Sequence, residues 1–295
     1  MTDVIVVGGG IIGLTAGVRL AEAGASVRLW SPVEPGETVS AVAAAVWYPS
    51  QAVPDPRLVA WSRAAYDEFT RQAADGVPGV RLLPTVNRER RDPWWAPATG
   101  GVEIRFVAPA VEMEIYLPWL QDRFRSAGGV VERRSVRTLH EARAPVVVNA
   151  TGLAAGRLCG DTAVYPVRGQ VVLVANPGLS TSVRDEENAT YVHPRTRDVV
   201  LGGSFEADNA DLTPDPVTRA KIVERCVALV PELAGAPIVG EKVGLRPARH
   251  GGPRLQREGR IVHCYGHGGA GVTLSWGCAD DILELVRLSP SSKQG

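Results

Sequence analysis

Val4-Ile5-Val6-Val7-Gly8-Gly9-Gly10-Ile11-Ile12-Gly13 is the stretch on which the fold turns. Val4 to Val7 is a short apolar run rich in β-branched residues, the composition of a strand covered on both faces. The glycines follow at once as G-x-G-x-x-G, at Gly8, Gly10 and Gly13. In that spacing the first glycine permits a tight turn, the second lets backbone approach a pyrophosphate, and the third lets a helix pack close to the strand. Leu14 to Ala23 then reads as a helix, with Leu14, Val18 and Ala21 on one face and Gly24 as its stop. Ser26 to Trp30 reads as a second strand. The unit is βαβ, and its helix N-terminus is a site for a dinucleotide's phosphates. The acidic residue that usually ends the second strand and holds the ribose is missing. Its place falls at Ser31, with Glu34 a few residues on.

Outward from this unit, composition narrows the class. The chain has 295 residues, 45% hydrophobic and 22% charged, and its 32 basic side chains balance 32 acidic ones. That usage excludes a disordered chain, a collagen-like fibre and a coiled coil. Zero net charge argues against a nucleic-acid or anionic-membrane partner. Cys159, Cys226, Cys264 and Cys278 form no CxxC pair and read as buried thiols in a reducing compartment, so a cytoplasmic location is expected. No apolar run reaches the roughly 18 residues a membrane helix needs. The N-terminal segment, broken by Gly8 to Gly10 and lacking a basic start, does not read as a signal peptide.

The small residues of Thr38 to Trp47 allow a flat ligand to approach, or simply mark a tightly packed segment. Pro54 and Pro56 mark a loop, and Leu58 to Ala74 and Tyr116 to Ala127 read as helices. Arg88 to Trp95 reads as a surface loop anchored by tryptophans. Val130-Val131 and Val136 suggest short strands, and Val146 to Val148 a buried one ending in a small-residue turn. From Val164 to Leu201, strands at Val171 to Val174 and Val199 to Leu201 suggest a mostly antiparallel inserted sheet. A helix is expected over Pro214 to Val230, with Asp211 or Thr213 near its start. The fold expected is therefore α/β: a Rossmann-like domain with an inserted, mostly antiparallel α+β substrate domain. The first comprises 1–50, 130–163 and 245–295; the second, 51–129 and 164–244.

The C-terminal part carries Gly244 to Arg249 (GLRPAR) and His263 to Ala279, a strand, a glycine-rich turn and a helix starting near Val272. His263, Cys264 and His267 look superficially like metal ligands, but the glycine-rich turn explains the segment better, and no metal is expected. Together with G-x-G-x-x-G, Val42 to Pro49 (VAAAVWYP), Tyr116 to Leu120, Val147 to Gly152 (VVNATG), Arg168-Gly169-Gln170, Tyr191 to Pro194 and Leu201-Gly202-Gly203, these motifs closely resemble the D-amino-acid oxidase family of flavoenzymes.

The resemblance implies FAD. It implies that Gly8, Gly10, Ile11, Ile12 and Gly13 hold the pyrophosphate, and that Ala44, Ala45 and Val46 line the flavin. Val136 and Ser31 fall on the adenosine side. Gly268, Gly269, Gly271, Val272 and Thr273 fall at the flavin ring edge and ribityl chain. Arg246 stands at the family's carboxylate-binding position, Tyr191 at a substrate tyrosine, and the Gly269 carbonyl where the substrate amine donates. The reaction implied is hydride transfer from the α-carbon of a D-amino acid to flavin. Imino acid, then keto acid and ammonia, result, and molecular oxygen is reduced to hydrogen peroxide. No general base is needed. The alternatives are an oxidase of the same fold acting on glycine, a secondary amine or a specialised substrate, and a FAD-binding protein without turnover. The partners expected are the amino acid and oxygen; a homodimer is left open.

Two departures stand out. Glu187 replaces a second tyrosine of mammalian members, within a short loop Arg184 to Thr190, and Ala270 replaces another tyrosine. Glu186 or Glu187 is expected to disfavour acidic side chains by like-charge repulsion, so that neutral or basic D-amino acids are preferred.

Overall fold

The computed structural model describes residues 2–49, 55–88 and 103–287. Pro54 and the Arg88 to Trp95 loop beyond Arg88 lie outside them. The chain starts β1 (Asp3–Val7), α1 (Ile11–Glu22) and β2 (Ser26–Ser31). There follow α2 (Pro56–Ala74), the hairpin β3 (Val80–Arg88) and β4 (Glu103–Val111), α3 (Met113–Ser126), β5 (Val130–Arg133), β6 (Val146–Asn149) and the short α4 (Ala154–Cys159). Next come β7 (Val164–Ala175), β8 (Ser182–Asp185), β9 (Thr190–Pro194), β10 (Asp198–Gly202), β11 (Glu206–Ala207), α5 (Pro216–Leu229) and β12 (Ile238–Arg249). The chain closes with β13 (Arg254–Glu258), β14 (Ile261–Tyr265) and α6 (Gly271–Arg287).

A six-stranded sheet has the order β13-β14-β6-β1-β2-β5, parallel except for the β13–β14 hairpin. The expected βαβ unit supplies its centre, and the last strands and first strands of the chain meet through β6. An eight-stranded sheet runs β11-β7-β10-β9-β8-β3-β4, with β12 on the other side of β7. Its pairs are antiparallel except β3 with β8. The architecture is thus the expected α/β fold with a mostly antiparallel second sheet.

Helix boundaries follow their caps. Helix α1 begins at Ile11, three residues before the expected Leu14, because Gly10 already serves as N-cap. Pro56 is not in a loop: it opens α2 behind the N-cap Asp55, whose carboxylate accepts from Arg57 N at 2.8 Å. Likewise Asp215, not Asp211 or Thr213, caps α5, accepting from Val217 and Thr218 N–H groups. Val136 lies past β5 in a non-strand segment, where it packs beside Ile5, Val7 and Trp30.

The main core lies on one face of the six-stranded sheet. There Leu14 and Val18 of α1, Trp61 and Phe69 of α2, Leu117 and Phe124 of α3, and Trp276 and Ile282 of α6 bury together. Helices α2 and α3 therefore pack with the six-stranded sheet. The expected division gave 51–129 to the other unit; within that range β3 and β4 alone join the second sheet. A smaller core forms where Ile222 and Cys226 of α5 cover Val172, Val192 and Leu201 on the outer face of the second sheet.

Candidate active site

The glycine turn is built as its spacing requires. Gly8 has φ of +119°, and a Cβ there would fall 2.2 Å from the Ala150 carbonyl oxygen at the end of β6. A Cβ on Gly13 would fall 1.8 Å from the Gly8 carbonyl oxygen, so only glycine lets α1 approach β1 this closely. At the start of α1, Gly10 offers no side-chain cap. The Ile11 N–H donates to Ser40 Oγ at 3.0 Å and the Leu14 N–H to the Gly10 carbonyl. Those of Ile12 and Gly13 find no acceptor among the described bonds. A helix start with unmet donors at Ile12 and Gly13 fits a bound pyrophosphate. Ser40, 29 residues from Ile11, went unnoticed in the sequence; a lone serine before a run of small residues gives no local signal.

Ser31 is buried beside this turn, 2.6 Å from where a Cβ on Gly9 would sit. Its hydroxyl donates to the Val33 carbonyl at 2.7 Å. Glu34 is exposed, and its N–H donates to the Glu37 carboxylate.

The segment after Ser40 crosses to the second sheet. Ala45 adopts φ of +51°, its carbonyl accepts from Val111 N, and Val46 bridges Ala110. Ala44 packs with Tyr191 against Val171, Leu173 and Val200 on the inner face of that sheet. The turn Gly268–Ala270 lies against Ala248 and Arg246 of β12, and a Cβ on Gly271 would lie 3.9 Å from Ile11. The hydroxyl of Thr273 is engaged elsewhere: it donates to the Tyr48 carbonyl and accepts from the Tyr48 N–H, each at 3.3 Å, fastening α6 to the 42–48 segment. Val272 is buried next to it.

Register puts the substrate candidates on one face. Tyr191 pairs with Gly202, Gly202 with Val171, and Val171 with Lys242. Arg246 lies four residues beyond Lys242, an even step along β12, and so projects from the same face. The Tyr191 ring leans over Gly202, where a Cβ would meet it at 2.0 Å, and stacks on His193 at 4.7 Å. Burial holds His193 well below the ordinary histidine value, with the Arg184 charge adding to this, so it is a neutral ring bonded to Ser182 Oγ at 2.8 Å. The Arg246 guanidinium lies over Gly169 and donates through Nη1 to the Ser204 carbonyl at 3.0 Å and the Arg168 carbonyl at 3.3 Å. The Nε–Nη2 edge has no partner among the described bonds, and Nε is 3.8 Å from the position of a Cβ on Gly269. One anchored corner and one unpaired planar edge are what bidentate capture of a carboxylate needs.

Phe205 beside Arg246 and Arg184 beside Tyr191 are neighbours the sequence did not point to. The exposed Phe205 ring lies 5.6 Å from the Arg246 guanidinium carbon. Arg184 lies 3.9 Å over the Tyr48 ring and 5.8 Å from that of Tyr191, its cross-strand neighbour. Glu186 is not a lone carboxylate: it pairs with Arg184. The short Arg184 to Thr190 loop closes as a hairpin turn over Glu186–Ala189, with Glu187 exposed. Finally, Cys264, His267 and Cys278 come together, which the sequence did not foretell, whereas His263 stands apart, bonded to Asn149 and paired with Glu258.

Gly169→Ala tests the seating of Arg246 without touching its charge. The new methyl would lie 2.3 Å from Nη1, and a flexible guanidinium yields before backbone does. The expected result is a folded protein with KM for a carboxylate substrate raised about tenfold, roughly 1.4 kcal/mol; unchanged steady-state kinetics would count against the placement.

Comparison with known proteins supplies the remaining context. The family model described as FAD dependent oxidoreductase matches residues 3–107 and 71–285. The D-amino-acid oxidase of Rubrobacter xylanophilus is 45% identical over 312 aligned residues, covering 96% of this chain and 95% of that one. The D-amino-acid oxidase of Streptomyces coelicolor is 44% identical, covering 96% of each. The solved glycine oxidase of Bacillus cereus superposes with a TM-score of 0.82 over 100% of this chain and 99% of that one, at 20% identity, a likeness of fold.

Proposed function

The chain belongs to the family of FAD-dependent oxidoreductases, and from that premise we propose that it oxidises D-amino acids to imino acids, with oxygen reduced to hydrogen peroxide. The observation that carries the substrate assignment is the Arg246 guanidinium, anchored through Nη1 and open along its Nε–Nη2 edge beside Gly269. When bound, FAD supplies the two-electron acceptor, and the protein supplies placement. Gly8 to Gly13 would hold the pyrophosphate at the head of α1, and Ala44, Ala45 and Val46, with Gly268 to Thr273, would hold the flavin. Val136 and Ser31 would border the adenosine. Arg246 binds the carboxylate, Tyr191 walls the α-carbon and adds a neutral donor, and the Gly269 carbonyl accepts from the amine. Three points of contact at one carbon fix its hydrogen in direction, which selects one enantiomer. We place the enzyme in the cytoplasm, where its four described cysteines, all free thiols, are kept reduced. No described helix is long and apolar enough to cross a membrane.

Peroxide-coupled turnover of the yellow protein over D-amino acids, L-amino acids, glycine and sarcosine tests the reading. D-amino acids should dominate. A higher kcat/KM for glycine or sarcosine would move the protein to the secondary-amine class, and no flavin bleaching by any amine without oxygen would remove it from the oxidases.

Side-chain selection also depends on Arg184. With Glu186 paired to Arg184, the repulsion expected of acidic substrates is largely cancelled at that residue. Neutral or basic side chains remain preferred, with Glu187 exposed in the same turn. Arg184→Ala would unmask the Glu186 carboxylate and should lower kcat/KM for D-aspartate relative to D-alanine by about tenfold. An unchanged ratio would show that Glu186 does not face the substrate.

A further inference from the structure

Cys264 on β14, His267 in the turn that follows and Cys278 on α6 are all buried, with exposures of 1%, 6% and 0%. Cys264 Sγ lies 3.7 Å from His267 Nε2, and Cys278 Sγ lies 3.6 Å from the same nitrogen. The three ligand atoms all lie within 4.8 Å of one another. A tetrahedral ion with bonds of about 2.3 Å to sulfur and about 2.0 Å to nitrogen sets those atoms roughly 3.5 Å apart. The two sulfur-to-nitrogen separations agree with that figure to within 0.2 Å. Both sulfurs approach the same ring nitrogen, so the three ligand atoms converge on one point.

Chemistry favours one kind of occupant. Two sulfurs and an imidazole form a soft set that suits Zn²⁺, Cd²⁺ or Cu⁺ and suits calcium or magnesium poorly. Two thiolates and a divalent ion sum to zero charge, which lowers the cost of burial. The ligands also bracket Gly268–Ala270, so an ion would tie the end of β14 and the body of α6 to the turn between them.

We propose that Cys264, His267 and Cys278 form a binding site for a thiophilic metal ion, Zn²⁺ in the first instance. The site stands independently of the oxidase reading, since none of its ligands is assigned to substrate or FAD.

The test uses the full-length, FAD-loaded protein, reduced and stripped of metal, titrated with Zn²⁺ in competition with a chromophoric chelator and separately with Cd²⁺. The expected results are uptake of one ion per chain, a thiolate-to-cadmium charge-transfer band, and zinc-edge X-ray absorption showing two sulfur neighbours and at least one nitrogen. Cys264→Ser and Cys278→Ser should each weaken uptake on the order of 100-fold or more, beyond the loss typical of outer-shell changes. Cys159→Ser should leave it unchanged, because Cys159 belongs to the separate Asn149 and His263 group. The proposal is overturned by an absence of competitive uptake in the wild-type protein, or by uptake that shows no sulfur neighbours. It is equally overturned by protein prepared without reductant in which two thiols are lost as a Cys264–Cys278 disulfide while the reduced form ignores both ions. The wild-type measurements decide even where a serine variant does not fold.

Discussion

Arg246→Leu is expected to lower kcat/KM for the preferred D-amino acid on the order of 100-fold, about 3 kcal/mol, while FAD stays bound. Leucine keeps bulk over Gly169 but removes every donor from the carboxylate's binding edge. The carboxylate is then placed in a half-buried site without a counter-charge, which costs more than the loss of an exposed ion pair would. FAD should be unaffected, because the described polar contacts of Arg246 run to the Ser204 and Arg168 carbonyls and none to the head of α1. Saturation kinetics should show the loss mainly in KM, with some fall in kcat because orientation of the α-hydrogen loosens. A simple amine without a carboxylate separates the roles: its turnover should be the same in both proteins. Normal kinetics of Arg246→Leu with D-amino acids would end the assignment.

Glu68→Gln should lower stability by about 3 kcal/mol at neutral pH, and the loss should fade in acid. Glu68 is buried on α2 at a junction of helices. It accepts from Arg71 at 2.7 Å and Gln72 at 2.7 Å, and pairs with Arg19 of α1 and Arg123 of α3. Trp276 Nε1 donates to Tyr116 OH, which donates to Gln72 Oε1, so the network reaches α6 and α3 without a gap. Burial pushes the Glu68 carboxyl up, but hydrogen bonds from Arg71 and Gln72 and the Arg19 charge outweigh it and bring it from 4.5 to about 2. A folded value below the unfolded one gives stability that is present above pH 4.5 and lost as pH falls toward 2. Urea unfolding across that window should show wild type and Glu68→Gln converging at the acid end. Parallel curves, offset by a constant amount, would mean that the substitution acts through packing.

Elements with local causes were legible. Gly8 and Gly13 sit where their spacing put them, and β1, α1 and β2 form the centre of the first sheet as read. The strands at Val171 and Val199 are present, and both lie in the mostly antiparallel sheet. Boundaries were missed where a cap decides them: Asp55 and Asp215, each before a proline, start their helices at points that apolar periodicity does not mark. The place of α2 and α3 was missed because an amphipathic helix shows that it has a partner and not which sheet the partner is. The pairing of Glu186 with Arg184 was not legible, because two charges two residues apart in the chain carry no sign that they meet.

By itself the sequence determined the dinucleotide-binding start, the α/β class and the family, since each rests on short motifs whose own residues lie close together in the chain. Glycine spacing fixes a turn through backbone sterics, and periodicity fixes a helix or strand face through burial. Tertiary structure alone decided what the side chains do. It set Arg246 over Gly169 with one edge open, gave Ile11 the hydroxyl of Ser40, and drew Cys264, His267 and Cys278 to one point. Such groupings depend on how two sheets and their helices close on each other. Separation along the chain carries no record of those distances.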